Sequence, residues 1–385
     1  MSNKPSNTSL FFSFLRLGVT AFGGPAMVVY IKELSVDRSN WLDEERFKDG
    51  VALCQTIPGA TAMQMAAYVG LRARGVVGGL SSFIGFGLPA FMLMLTLSAL
   101  YDRYHAVPKV VSLFNGLQVV VVAIVANATY FFAKSTFKNY RDVFIAIAAS
   151  ALFWTGVSPF IVIIGSACAG AARPNESRVD ILPGRTEEIS NHFLKQLSVI
   201  LAVILSGLLV LYLVDSKLFH LALLMMRIDL FAFGGGFASI PLMLHEIVDV
   251  RGWIDSKMFM DGIALGQVTP GPIVITSTFV GYMLYGLTGA IIATIGIFVP
   301  SFLMVIAVTP VFDRLKASAY FTGATKGILA SFVGLLFFVS LKFALAVHWD
   351  IMRGLTGIAA FGALYRKVDI LYVVLTASVV SVLIF

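Results

Sequence analysis

The 385-residue chain is 58% hydrophobic and only 13% charged, with a mean hydropathy of +0.89. Soluble domains carry about 25% charged residues, so the composition excludes a water-soluble globule and leaves an all-α polytopic membrane protein. The net charge of +7 is spread over short loops between apolar runs, which is how membrane proteins are oriented and not how nucleic acid is gripped.

In chain order, residues 1–9 are polar, and an apolar segment over 10–31 is interrupted by Gly23-Gly24-Pro25. That interruption reads as a broken helix, with its second half starting near Pro25, a favoured first-turn residue. Arg16 cuts the run and no small-residue cleavage site follows, which argues against a removable signal peptide. After charged residues 32–49, with Trp41 at an expected interface, a second segment over 50–71 is broken by Pro58-Gly59. Apolar spans are expected over 76–100 and 109–133, and the run 142–171, with Gly156 and Pro159 in its middle, suits two tight antiparallel spans. Residues 172–192 form a polar linker, and 193–214 form an extra connecting helix.

The remainder, 215–385, repeats the first 171 residues. Arg16, Phe22, Gly23 and Gly24 return as Arg227, Phe233, Gly234 and Gly235, with Gly236 in the place of Pro25. A second block, Asp49-Gly50 through Gln55 to Pro58-Gly59, returns as Asp261-Gly262 through Gln267 to Pro270-Gly271. Pro89 matches Pro300 and Gly116 matches Gly327. Compositional bias does not restore Gln, Asp, Pro and Gly at fixed offsets, so the chain is an internal duplication. Counting about six spans, one extra and about six more gives about 13 membrane segments. With an even number per copy, the extra helix turns the second copy upside down. The basic turn at Arg72 and Arg74 against its uncharged counterpart at 282–286 agrees with such an inverted-topology repeat.

Paired broken helices in an inverted repeat are the plan of a secondary transporter with its site where the copies meet. A half-helix starting at a glycine break presents free amide donors and about half a positive charge, which favours an anion. Arg16 and Arg227 lie about two turns before their glycines, where an arginine costs about 2.5 to 3.5 kcal/mol at the bilayer centre. Contact with an oxyanion, bracing of freed carbonyls, and snorkelling are the three readings of the pair, oxyanion contact being preferred. Gln55 and Gln267 either bind substrate or cap broken backbone, and Thr56 and Thr269 are nearby hydroxyls that do not align.

Asp49 and Asp261 are read first as helix caps and second as proton-coupling groups. Asp229, whose counterpart is Gly18, offsets the Arg227 charge or titrates. The chain has no phosphate-binding Gly-Lys-Ser/Thr loop, no His-Glu-x-x-His and no Cys/His cluster, and Cys54 and Cys168 sit in unrelated settings. Neither ATP hydrolysis by that route nor an embedded metalloenzyme is expected, and no cofactor or metal is implied.

The arginine before Phe-Gly-Gly-Pro, the Trp41-Leu42-Asp43 block, and Asp-Gly-x-Ala-Leu-x-Gln-x-x-Pro-Gly, each present in both halves, resemble the chromate ion transporter family in its long, two-domain form. The resemblance covers nearly the whole chain. It implies chromate efflux across a cell inner membrane and chromate resistance, with sulfate as a competing look-alike. The expected partners are the anion and the lipid bilayer, with a homodimer as a candidate assembly. Gly-Gly-Gly in place of Gly-Gly-Pro departs from a matched pair and implies two unequal half-sites. A membrane sensor or scaffold is the competing class, for which only 172–192 offers a polar docking segment.

Overall fold

The computed structural model describes residues 5–22, 26–172 and 191–384, so the Gly23-Gly24-Pro25 break and nearly all of the expected linker lie outside the described residues. Among the described residues every regular element is helical. The first half runs α1 (Asn7–Thr20), α2 (Ala26–Lys32, continued by a π-helical turn to Arg38), α3 (Glu44–Thr56), α4 (Thr61–Tyr104), α5 (Pro108–Thr136), α6 (Tyr140–Trp154) and α7 (Pro159–Ala171). After α8 (Asn191–Val214) come α9 (Ser216–Phe231), α10 (Ser239–Met243, continued by a π-helical turn to Val250), α11 (Ser256–Val268), α12 (Thr276–Val308) and the short α13 (Phe312–Ala317). The chain finishes with α14 (Ala319–Ala346), α15 (Ile351–Tyr365) and α16 (Ile370–Ile384).

The breaks reverse the chain; they do not merely interrupt it. Gly59, at φ +118°, turns α3 back along the opening limb of α4. A Cβ on Gly50 would lie 2.4 Å from the Tyr68 ring, and the Tyr68 hydroxyl donates to the Arg46 carbonyl at 3.1 Å. In the second half Gly271, at φ +108°, does the same, and Gly262 abuts the Phe279 ring. The first broken segment also doubles back, because Trp41 stacks on Phe14 of α1 with ring centroids 6.4 Å apart. The described parts of 10–31, and 50–71, each expected to cross the membrane as a broken helix, therefore fold back on themselves as hairpins. Limbs of 13 residues such as α3 and α11 reach only about 20 Å at 1.5 Å per residue, short of a hydrocarbon core of about 30 Å.

A second reversal lies inside α4. Gly75 adopts φ +71°, and the Ser82 hydroxyl donates to the Ala66 carbonyl at 2.6 Å. Sixteen residues of straight helix would hold those groups about 24 Å apart. The close approach is between Gly70 and Gly78, where a Cβ on either would meet the other's carbonyl oxygen within 2.5 Å. Gly286, at φ +60°, reverses α12 in the same way and brings the hydroxyls of Thr278 and Thr294 to 2.7 Å.

Among the described residues five helices are long and apolar enough to cross a membrane. They are Thr61–Tyr104 and Ile273–Ala317, both containing these reversals, and Pro108–Thr136, Lys195–Val214 and Ala319–Ala346. The outer helices α6, α7, α15 and α16 have 13 to 15 residues each. They pack crosswise between the halves: α6 and α7 lie on α14, and α15 and α16 lie on α5. Small residues permit this, since a Cβ on Gly334 or Gly327 would sit 2.0 or 2.1 Å from the Ala146 or Ser166 carbonyl oxygen. Helix α8 packs on the core through Leu197 and Ile200, while many of its other apolar side chains, Leu205 and Leu213 among them, face outward.

Candidate functional site

The four interruptions meet through their backbones. The Gly59 N–H of the first-half tip donates to the Ala232 carbonyl at the second-half glycine break, at 3.0 Å. Reciprocally, the Gly271 N–H of the second-half tip donates to the Ala21 carbonyl at the first-half break, at 3.1 Å. Ala21 and Ala232 each precede the Phe that opens a glycine run, so corresponding groups exchange corresponding bonds about a local two-fold relation. Gly234 and Gly235 hold φ +95° and +91°, conformations that L side chains rarely adopt. A Cβ on Gly235 would lie 3.2 Å from the Thr61 hydroxyl, and one on Gly236 2.9 Å from Ile273. Pro58, Gly59, Pro270 and Gly271 are all buried. Non-helical backbone at this depth is tolerable because protein surrounds it.

Around this crossing the expected side chains are not equivalent. Arg16 and Arg227 are exposed on α1 and α9, and the Arg227 guanidinium lies 3.8 Å from the centroid of the Phe160 ring. Residues two apart point to different sides of a helix, and Asp229 is fully buried. The reading in which Asp229 offsets the Arg227 charge is thereby corrected: the arginine sits over an aromatic face, away from the carboxylate. Phe22 and Phe233 are half-buried beside the breaks.

Gln55 is exposed, while the Gln267 amide nitrogen is buried without a hydrogen-bond partner. Capping of the first tip falls instead to Gln64, whose Nε2 donates to the Pro58 carbonyl. Thr56 and Thr269 donate to carbonyls of their own helices, Ala52 at 2.6 Å and Gly266 at 2.8 Å.

Helix capping by Asp49 and Asp261 is also corrected. The caps are Asp43 and Asp255, which precede α3 and α11 in extended backbone and accept from Arg46 N–H at 2.8 Å and Met258 N–H at 2.7 Å. Asp49 and Asp261 lie well inside the helices, where no free N–H remains to be capped. Asp49 is exposed. Asp261 is 5% exposed and bridges the halves, accepting from the Tyr101 hydroxyl at 2.9 Å and from Gln118 Nε2 at 2.8 Å.

The family described as chromate transporter matches this chain twice, over residues 8–171 and 219–382. The chain belongs to the chromate transporter family. Its two matched copies make it a long, two-domain member of that family and, with its apolar helices, a multi-pass membrane protein. It is 46% identical over 384 residues to an uncharacterized transporter of Methanocaldococcus jannaschii, covering 99% of this chain and 95% of that protein. It is 29% identical over 408 residues to a chromate transport protein of Pseudomonas aeruginosa, covering 99% and 93%. A probable chromate transport protein of Synechococcus elongatus is 28% identical over 336 residues, covering 83% and 81%. No solved structure matches the chain.

In this chromate transporter family member, the residues that the sequence search passed over are those without a twin. Gln64, Ser301, Tyr101 and Gln118 each occur in one half only. Polar side chains in otherwise apolar runs were the available signal. Two clefts of about 460 and 490 Å³, one between α15 and α16 and the other beside α5, α6 and α14, have apolar walls and lie away from the breaks. They suit lipid chains and not an oxyanion.

Proposed function

We propose that the chain is a secondary transporter that carries chromate out of the cytoplasm by alternating access, with the crossing of the four breaks as its anion site. The observation carrying this reading is the reciprocal pair of bonds, Gly59 N–H to Ala232 and Gly271 N–H to Ala21. It draws together the glycine break of one half and the Pro-Gly tip of the other, where helices begin and the positive ends of their dipoles favour an anion. Relatives in Pseudomonas aeruginosa and Synechococcus elongatus that bear the name chromate transport protein supply the anion class. Arg16 and Arg227, exposed on the limbs leading to the breaks, are the proposed guanidinium contacts. Gln267, with its amide nitrogen unpaired, and the backbone around Gly23, Gly24, Pro25, Gly234, Gly235 and Gly236 complete the proposed site.

The second copy is inverted in this reading. Each copy has re-entrant hairpins that do not cross, and the single helix α8 joins the copies, so an even number of crossings per copy places equivalent loops on opposite sides. The units are then 1–171, the linker 172–192, the connecting helix 193–214, and 215–385, set in the inner membrane. Energetics permit export without ATP. Each charge is worth about 2.3 kcal/mol per 100 mV, so a dianion leaving an inside-negative cell gains about 4.6 kcal/mol at that potential. Proton motive force is the alternative drive, and sulfate or another tetrahedral oxyanion is the alternative cargo, since backbone donors distinguish two such dianions poorly.

The test is uptake of labelled chromate by inverted membrane vesicles with an imposed potential, with and without excess sulfate. Potential-driven uptake that resists sulfate supports chromate export. Complete block by sulfate assigns the site to tetrahedral oxyanions at large, and no uptake under any gradient sinks the transporter reading.

A further inference from the structure

Asp229 is a carboxyl group that the anion site does not use. It is fully buried, and neither oxygen has a hydrogen-bond partner of standard geometry. It stands just before the second-half break, where the Ala232 N–H donates to its backbone carbonyl at 3.1 Å. Beside the carboxylate lies Ser301 of α12, also fully buried. The Ser301 hydroxyl oxygen accepts the Ala60 N–H at 3.1 Å, and the preceding Gly59 N–H is bound to Ala232. Two successive amides of the first-half tip are thus held by the residues flanking Asp229.

No cation shares this pocket among the described residues. Helix α12 carries no charged residue from Thr276 to Val308, and the tip 57–60 carries none. On α9 itself the charged or titratable groups are Lys217, His220 and Arg227, the last occupied by Phe160. From α8 the described charge is Lys195, and beyond α10 stand His245 and Glu246, the latter paired with Arg251. A buried carboxylate with no cation beside it is costly in its charged form. The first half has no such device: the corresponding positions are Gly18, pressed against the Phe86 carbonyl, and Ala90, which faces Gly271.

We propose that Asp229 is a proton-binding site and that Ser301 reports its state to the Pro58-Gly59 tip. When Asp229 is protonated, its O–H donates to the Ser301 oxygen, which then accepts from both Asp229 and Ala60. When the proton leaves to water, the Ser301 O–H turns to donate to the carboxylate and its oxygen keeps only the Ala60 N–H. The bonding that fixes the tip therefore changes with one proton. On the anion-site reading above, a bound dianion disfavours a second negative charge nearby. Anion binding then draws a proton onto Asp229, and by reciprocity protonation tightens anion binding.

The experiment uses the full-length protein in lipid vesicles, read by infrared difference spectroscopy across pH without any anion. A protonated-carboxyl absorption should appear in the wild type, vanish in Asp229→Asn and change frequency in Ser301→Ala. Persistence of that absorption in Asp229→Asn overturns the site, and an unchanged frequency in Ser301→Ala overturns the relay. A second arm adds chromate, or separately sulfate, to weakly buffered protein. Proton uptake on binding, lost in Asp229→Asn, supports the link to the anion, whereas binding without uptake overturns it. If neither anion binds while the absorption behaves as expected, the proton site stands and the transport reading fails.

Discussion

In the second half Asp261 is enclosed and held by Tyr101 and Gln118 from the first half, whereas its counterpart Asp49 stands exposed. The positions matching Tyr101 and Gln118, in step with Pro89–Pro300 and Gly116–Gly327, are Phe312 and Leu329, which offer no donor. At the tips the imbalance is reversed. The first-half tip is tied by Ser301, Gln64 and Ala232, while at the second-half tip Gly271 bonds to Ala21 and packs on Ala90. Duplication has kept the backbone path and divided the polar fastenings: one hairpin is secured at its base, the other at its point. Two hairpins built this way yield to different perturbations.

The largest effect should come from crowding the tips. A Cβ at Gly59 would lie 2.1 Å from the Ser301 hydroxyl and 2.6 Å from the Gln64 amide, whereas one at Gly271 would lie 2.9 Å from Ala90. Backbone strain and overpacking together should cost Gly59→Ala about 2–5 kcal/mol, and Gly271→Ala less, as read from thermal unfolding of the purified protein. The reverse order would show that side-chain fastening does not govern the tips.

At the bases, Asp261→Ala leaves a buried hydroxyl and a buried amide unpaired, for an expected loss of about 2–4 kcal/mol, while Asp49→Ala should stay within about 0.5 kcal/mol. Equal losses would erase the contrast between the two copies. Arg16→Ala and Arg227→Ala should each weaken chromate uptake by about 10- to 100-fold through loss of a charged hydrogen bond of about 1.5–3 kcal/mol. Full uptake by either variant removes that arginine from the site. A small effect, equal in the two halves, belongs to the true caps: Asp43→Ala and Asp255→Ala should each cost about 1 kcal/mol, with no difference between halves in thermal unfolding.

The membrane class, the duplication and the pairing of breaks were legible because Pro58-Gly59 and Pro270-Gly271 recur with their neighbours. Their sense was not. A Pro-Gly pair marks where a helix stops, but whether the chain continues or doubles back depends on the glycine's φ and on contacts such as Gly50 with Tyr68, far apart in sequence. Matching the copies also directed attention to Asp49 and Asp261 and away from Asp43 and Asp255, although those close the Trp41-Leu42-Asp43 and Trp253-Ile254-Asp255 blocks. Cap geometry belongs to the residue that precedes the first turn in extended backbone, and a repeat comparison does not distinguish that position from the next matched acid. Ser301 and Gln64 have no twin and so left no mark in the comparison.

The crosswise seating of the outer hairpins bears on how the molecule is made. Helix α5 leaves the ribosome early, yet the α15 and α16 surfaces that cover it are not synthesised until residues 351–384. Through most of translation its flank has only lipid or insertion machinery for company, and maturation must wait for the late arrival of a strap coded some two hundred residues downstream.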